Sequence, residues 1–161
     1  MAAEYHFRSL TAADLPLVAR WLAAPHVSEW WPDVDRQLAN IRRHLGETNI
    51  DLFLVHAEGR PIGYLQSYDV PAGGHPFPDQ PPGSRGIDQF IGEADMVDRG
   101  HGSAFIRAFV DRLFAQGVPR VMTDPAPANK RAVRAYEKAG FSAERLVDTP
   151  HGRALLMVRD P

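Results

Sequence analysis

The chain has 161 residues, of which 44% are hydrophobic, a formal net charge of −2 and no cysteine. This length and hydrophobic content suit one globular domain over residues 1–161. The absence of cysteine excludes disulfides, thiol nucleophiles and thiolate metal ligands, and the weak acidic charge provides no general basic field for nucleic acid.

Metal and membrane partners are not expected either. The seven histidines show no spacing typical of metal ligands, so we predict no metal site. No N-terminal apolar run resembles a signal peptide, and no later stretch approaches the length of a membrane span. We therefore expect a cytoplasmic protein, monomeric or homodimeric, that binds neither membranes nor nucleic acid.

The first predicted elements are a strand and two helices. Residues 4–10 alternate as a strand does, and Thr11 is an N-cap signal for an apolar-periodic helix over residues 14–23. Pro25 ends this helix in the prediction. A second helix is expected from Pro32 and Asp33 to about Leu45.

A hairpin and a long loop follow. Residues 51–57 and 61–68 are predicted to pair as strands around the turn at residues 58–60. Residues 71–84 are rich in proline and glycine, which excludes a helix or a central strand. A loop of this length in a compact domain is often a binding loop or a lid, and a disordered excursion is the alternative.

A glycine-rich turn joins the next strand to a long helix. The strand at residues 86–92 is followed by Arg99-Gly100-His101-Gly102-Ser103, which opens the helix. Backbone N–H groups in such a turn, the close approach that glycine permits and the positive end of the helix dipole together form an anion cradle. A pyrophosphate would fit it, while an ordinary tight turn is the alternative.

The remaining predicted elements complete a mixed α/β pattern. A short strand at residues 118–124 is followed by a helix over residues 130–139 and by closing strands at residues 142–147 and 153–159. The predicted order is therefore β-α-α-β-β-β-α-β-α-β-β, with no internal repeat.

The stretch from Asn129 through Tyr136 to Phe141, placed after the glycine turn, resembles the second cofactor motif of the GNAT acyltransferase superfamily. This resemblance implies a mixed, mostly antiparallel sheet, splayed near its centre with helices on both faces, and acetyl-CoA as the cosubstrate. The resemblance also implies a set of cofactor-binding residues, namely Met96, Val97, Arg99, Gly100, His101, Gly102, Ser103, Asn129 and Tyr136.

Shorter strings are similar to the aminoglycoside 6′-N-acetyltransferases within that superfamily. They are Glu29-Trp30-Trp31, Gly86-Ile87-Asp88-Gln89-Phe90 and Thr123-Asp124-Pro125. The similarity implies direct transfer of an acetyl group to the 6′-amine of an aminoglycoside, a small cationic amine.

The catalytic residues implied by this resemblance are Asp88 and Tyr136. An amine with a pKa of about 8 to 10 is mostly protonated at neutral pH, so a base must take its proton, and Asp88 precedes the cofactor turn. Tyr136 would protonate the departing thiolate. The alternatives are a paired or solvated strand carboxylate for Asp88 and a core-packing aromatic for Tyr136.

The implied acceptor-binding residues are aromatic, acidic and amide side chains. Trp30 and Trp31 offer flat faces for sugar rings and for cation–π contact. Asp124 would bind a second ammonium group, or it caps the following turn. Asn129 caps its helix, contacts the cofactor, or does both. Gln66 is a further polar candidate.

Three other functions remain open at this point. The string at residues 26–31 is shared with acyltransferases that acylate amino or hydroxylamino groups in siderophore assembly. A protein or peptide N-acetyltransferase is another enzymatic possibility. A non-catalytic module that binds coenzyme A or another ligand would be a protein of a different class.

Overall fold

The computed structural model describes residues 4–70, 77 and 79–161, which form one mixed sheet flanked by helices. The strands, in chain order, are β1 (Tyr5–Ser9), β2 (Ile50–Ala57), β3 (Arg60–Asp69), β4 (Arg85–Ile91), β5 (Val121–Thr123), β6 (Ser142–Thr149) and β7 (Gly152–Arg159). The α-helices are α1 (Leu15–Ala23), α2 (Pro25–Ser28), α3 (Val34–His44), α4 (His101–Ala115) and α5 (Lys130–Lys138). The sheet order is β1-β2-β3-β4-β5-β7-β6.

The chain divides into two compact units. The first comprises Met1–Ser67 and Gln89–Gly102, and the second comprises Tyr68–Asp88 and Ser103–Pro161. In the first unit, β1 and β2 are antiparallel, and in the second unit β7 is antiparallel to both β5 and β6. β4 and β5 are parallel, so the predicted mixed, mostly antiparallel α/β sheet is confirmed.

The helices of the first unit begin and end close to the predicted residues, with one correction. α1 ends at Ala23 because Ala24 precedes a proline and takes an extended conformation, with a ψ of 135°. Pro25, predicted only as the end of that helix, instead occupies the first position of the short helix α2, where the missing N–H of proline costs nothing. α3 begins after Asp33, whose carboxylate accepts a hydrogen bond from the Arg36 N–H.

The segment between β4 and the glycine turn is held by Trp21 and Glu93. Gly92 leaves room for the Trp21 indole, because a Cβ atom at residue 92 would lie 2.0 Å from Cδ2 of that ring. The indole N–H donates to Glu93 Oε2 at 2.5 Å, and Arg20 and Arg60 donate to the same carboxylate. These contacts set where the chain leaves β4 and enters the 3₁₀ turn at Ala94–Met96.

The second unit contains an apolar cluster beside β5. Val70, Phe77, Met122 and Leu156 are buried together, and Tyr68 packs against them. Phe77 comes from the proline-rich loop predicted at residues 71–84, so this part of the loop is anchored to the core. Residues 71–76 and 78 lie outside the described residues, and the interpretation of that segment as a binding loop stays a prediction. Among the described residues, no helix is both long and apolar enough to cross a membrane.

Candidate active site

Strand register places two aspartates at the same level. The parallel ladder of β4 and β5 pairs Arg85 with Val121 and Gly86 with Met122. Asp88 lies two residues after Gly86, and Asp124 lies two residues after Met122. Side chains alternate along extended strands, so residues two apart share a face. Asp88 therefore projects from the face of the sheet on which Met122 lies, and Asp124, which directly follows β5, is near enough for its carboxyl group to be affected by the charge of Asp88.

Thr123, the last residue of β5, joins this strand to β4 beyond the paired residues of the ladder. Its hydroxyl is buried and donates to the carbonyl oxygen of Ile87 at 3.0 Å. Because each of these residues directly precedes an aspartate, this hydrogen bond fixes the separation of the backbones from which the two carboxylates project.

Asp124 has a strongly perturbed protonation equilibrium. Burial of its carboxyl group, and then the charge of the neighbouring Asp88, raise the pKa of Asp124 to about 8. A carboxyl group with this pKa is mostly protonated at neutral pH, and a cation beside it would favour its ionised form. The helix α5 that follows is capped by Asn129, whose side chain accepts from the Ala132 N–H at 3.2 Å. The predicted capping role of Asn129 is thereby confirmed.

Two tyrosines, Tyr68 and Tyr136, lie near the carboxyl groups of Asp88 and Asp124. Tyr136 lies on α5 with 3% of its surface exposed, and its ring packs edge-to-face on Phe141 at 5.5 Å. Burial, Asp88, Asp124 and Tyr136 all raise the pKa of Tyr68 well above its ordinary value. The structure therefore brings the predicted Asp88, Asp124 and Tyr136 together around Tyr68, which the sequence analysis did not select. Its signal was a position two residues after Gln66, on the same face of β3.

In the first unit, the predicted Trp31 belongs to an aromatic cluster. Its ring lies edge-to-face with Phe90 at 5.2 Å and with Tyr64 at 6.1 Å. Tyr64 stacks on Phe90 at 5.3 Å and donates its hydroxyl to Gln66 at 2.7 Å. Trp30 and Trp31 are both half-buried, and Trp31 is the one that joins this cluster. Their roles toward a substrate stay predictions.

The glycine turn has the predicted strand–turn–helix form. Asp98 and Gly100 take left-handed φ values of 60° and 82°, and α4 begins at His101. A residue with a side chain would be strained at the Gly100 position, so glycine is needed there. The first N–H groups of an α-helix point outward from its N-terminus, and in α4 this end is formed by His101, Gly102 and Ser103.

Side chains around this turn are also fixed. His101 Nδ1 lies 2.8 Å from the Tyr5 hydroxyl, and Arg99 is exposed and donates to the Asp95 carbonyl oxygen at 3.4 Å. Over the described ranges, no group of three or more histidine, aspartate or glutamate side chains could hold a metal ion.

Comparisons with known proteins show the family of this chain and several of its relatives. Residues 11–149 match the sequence model of a family described as "Acetyltransferase (GNAT) domain". The chain is 36% identical, over 94% of its own length and 81% of the relative, to the aminoglycoside N(6')-acetyltransferase type 1 of Klebsiella pneumoniae. It is 29% identical, over 97% of its length and 73% of the relative, to the lysine N-acyltransferase MbtK of Mycolicibacterium paratuberculosis.

Solved structures show the same fold. A crystal structure of the aminoglycoside acetyltransferase AAC(6')-Ib in complex with coenzyme A and kanamycin superposes with a TM-score of 0.85. It is 36% identical to this chain, and the match covers 98% of this chain and 95% of that one.

Proposed function

Because the chain belongs to the acetyltransferase (GNAT) family, we propose that it transfers an acetyl group from acetyl-CoA to the 6′-amine of an aminoglycoside within a ternary complex. The observation that carries this proposal is the pair formed by Asp88 in β4 and Asp124 directly after the parallel strand β5, on a chain 36% identical to an aminoglycoside N(6')-acetyltransferase over 94% of its length. Such a pair suits an acceptor that carries several ammonium groups.

The anion cradle before α4 suits the pyrophosphate of acetyl-CoA. Backbone N–H groups of Gly100 to Ser103 and the positive end of the α4 dipole attract phosphate oxygens. Met96 and Val97, which precede this turn in the chain, are proposed to contact the cofactor, and Arg99 adds an exposed positive charge for the phosphates. His101, held by Tyr5, and Asn129 at the start of α5 complete the proposed cofactor-binding set.

Asp88 acts as the base in this proposal. An amine with a pKa of about 8 to 10 must lose its proton before it can attack the thioester, at a cost of roughly 1.4 to 4 kcal/mol at neutral pH. The Asp88 carboxylate binds the ammonium group and accepts that proton, directly or through one water molecule. Asp124 is proposed to bind a second ammonium group, which favours its ionised form despite the pKa of about 8 in the free protein.

Tyr136 acts as the acid. After acetyl transfer, the sulfur of coenzyme A departs as a thiolate and needs a proton. The packing of its ring against Phe141 holds the Tyr136 side chain in place, and a tyrosine hydroxyl is a competent proton donor. The half-buried rings of Trp30 and Trp31 and the amide of Gln66 are proposed to contact the sugar rings.

A second candidate is the acylation of another small amine, such as a siderophore precursor. The match with the lysine N-acyltransferase over 97% of this chain favours it. The same base and acid would serve, because a lysine side chain also presents a protonated amine to the thioester.

The decisive assay measures thiol release from acetyl-CoA with tobramycin, with an analogue that carries a 6′-hydroxyl, and with lysine. We expect turnover with tobramycin only. Asp88→Asn should lower kcat/KM for tobramycin by at least about 10²-fold, while calorimetry shows unchanged binding of coenzyme A. Asp148→Asn, at a side chain 87% exposed, is the matched control and should keep wild-type turnover.

Each other outcome contradicts a specific part of the proposal. Faster turnover of lysine than of tobramycin would favour the second candidate. Equal turnover of the 6′-hydroxyl analogue would refute the 6′-amine as the acceptor. Binding of coenzyme A without thiol release for any amine would indicate a non-catalytic module.

A further inference from the structure

The side chain of His101 is held by a residue from the first strand of the chain. Its Nδ1 atom lies 2.8 Å from the hydroxyl oxygen of Tyr5, and the two rings meet edge-to-face with their centroids 5.9 Å apart. Tyr5 and His101 are 96 residues apart in the sequence but belong to the same compact unit, and both are half-buried. A hydrogen bond and a ring contact between the same two side chains fix both the position and the orientation of the imidazole.

Tyr5 is itself fixed by the sheet. β1 pairs Tyr5 with Ala57 of β2, and directly beyond this pair the Glu58 N–H donates to the Glu4 carbonyl oxygen at 3.2 Å. Burial, and then the charge of Glu58, raise the pKa of Tyr5 above its ordinary value. The Tyr5 hydroxyl therefore keeps its proton at neutral pH and is available as a donor.

A donor at Nδ1 selects one tautomer of His101. A neutral imidazole has one N–H group and one bare nitrogen. The nitrogen that accepts from the Tyr5 hydroxyl is the bare one, so the imidazole proton lies on Nε2. When His101 is protonated, the Tyr5 oxygen accepts from the Nδ1–H instead, so the pair persists in both charge states.

His101 belongs to the glycine turn proposed to bind the pyrophosphate. It is the first residue of α4 and follows Gly100, whose φ is 82°. The N–H groups of such a turn bind an anion more tightly when the turn is ordered beforehand, because ordering on binding costs conformational entropy. The contact of the neighbouring Arg99 with the Asp95 carbonyl oxygen is exposed and long, at 3.4 Å, so it restrains the turn less than the Tyr5–His101 pair does.

Given the proposed function, on which this step rests, we infer that Tyr5 is a positioning residue of the acetyl-CoA site, whose hydroxyl donates to His101 Nδ1 and holds the first residue of α4 in place for the pyrophosphate. Tyr5 acts through His101 and does not touch the cofactor. Its contribution is to order the start of α4 before the cofactor arrives. The first strand of the chain thereby takes part in cofactor binding.

Tyr5→Phe tests this inference, because it removes the hydroxyl and keeps the ring. The first readout needs no cofactor: ¹⁵N NMR of the imidazole nitrogens, at a pH at which histidine is neutral, with the His101 signals assigned by their loss in His101→Leu. In the wild type we expect a bare Nδ1 that accepts a hydrogen bond and a proton on Nε2. In Tyr5→Phe the Nδ1 signal should lose the shift caused by that hydrogen bond.

Calorimetry and steady-state kinetics give the second readout. Tyr5→Phe should raise the Kd for coenzyme A and the KM for acetyl-CoA by about 2- to 10-fold, the range that corresponds to one hydrogen bond between uncharged groups. The kcat and the KM for tobramycin should not change. In a His101→Leu background, Tyr5→Phe should have no further effect on coenzyme A binding, because the acceptor nitrogen is absent.

Arg8→Gln is the matched control on the same strand. The Arg8 side chain projects from the opposite face of β1 to Tyr5 and pairs with Asp14 at 2.7 Å. Its replacement removes a contact of β1 without touching His101, so it should leave the Kd for coenzyme A unchanged. Thermal unfolding verifies that each variant is folded, and if Tyr5→Phe does not fold, His101→Leu should raise the Kd by the same factor.

Three results overturn the role of Tyr5: a proton on Nδ1 of neutral His101 in the wild type, a His101 spectrum that Tyr5→Phe leaves unchanged, or an equal loss of coenzyme A affinity in Arg8→Gln. A wild type that does not bind coenzyme A would instead refute the proposed cofactor. The imidazole spectrum would then still decide whether Tyr5 holds His101.

Discussion

Gly86→Ala tests the contact between the backbone of β4 and the ring of Tyr68, on which the charges of Asp88 and Asp124 act. The added methyl group would lie 2.3 Å from Cε2 of Tyr68, more than 1 Å inside the contact distance of about 3.5 Å between carbon atoms. The backbone cannot move away easily, because Gly86 is buried and paired in register with the fully buried Met122. The Tyr68 ring must therefore leave its position or the strands must separate.

The expected loss in the free energy of unfolding is similar to that of other over-packed cores. Extra methyl groups in packed cores typically cost about 1–3 kcal/mol, and replacing glycine by alanine at a compatible backbone recovers about 0.4–1 kcal/mol from the unfolded state. We expect Gly86→Ala to lower the free energy of unfolding by about 1–2 kcal/mol. Gly46→Ala, where the nearest atom is the Arg43 carbonyl oxygen at 3.6 Å, should not lower it and should raise it by at most about 0.4–1 kcal/mol.

A double-mutant cycle in urea decides whether Tyr68 is the cause. In a Tyr68→Ala background the methyl group meets no ring, so Gly86→Ala should be neutral or slightly stabilising there. The interaction energy between the two sites should then reach about 1–3 kcal/mol. Equal costs of Gly86→Ala in both backgrounds, additive within about 0.5 kcal/mol, would refute the contact and with it the placement of the Tyr68 hydroxyl.

Three further predictions concern other parts of the molecule. Gly92→Ala drives a methyl group into the Trp21 indole, so urea denaturation should show a loss of about 1–3 kcal/mol, and a variant as stable as wild type would contradict that packing. The pKa of Asp124 is raised from 3.8 to about 8 by burial and by Asp88, so the folded state holds a proton that the unfolded state has lost between these pH values. Its contribution to stability is complete below about pH 4 and is lost as the pH rises through about 8. Wild type should therefore lose stability relative to Asp124→Asn over that range, and parallel stability curves would show that Asp124 titrates normally. Tyr136→Phe should lower kcat for the best acceptor by about 10²-fold with little change in KM, and an unchanged kcat in single-turnover assays would exclude Tyr136 as the acid.

The local elements were predictable because their signals lie close together in the chain. The apolar periodicity before Pro25 and the Asn129 cap each predicted a helix boundary within one or two residues of the observed one. Backbone sterics and side-chain capping act over a few residues, so a short stretch of sequence is enough to predict them. α2 was missed because a proline can follow the end of one helix and can also occupy the first position of the next, as Pro25 does.

What the sequence by itself determined is the mixed α/β order of elements, the glycine turn before α4 and the candidate residues Asp88 and Tyr136. What only the tertiary structure decided is the grouping of these side chains. The register of β4 with β5 places Asp88 level with Asp124, and the packing of β3 lays Tyr68 on the bare backbone of Gly86. Strand pairing joins residues far apart in the chain, so neither periodicity nor a local motif records it. The raised pKa of Asp124 likewise arises from burial and a neighbouring charge, which exist only after the strands have paired.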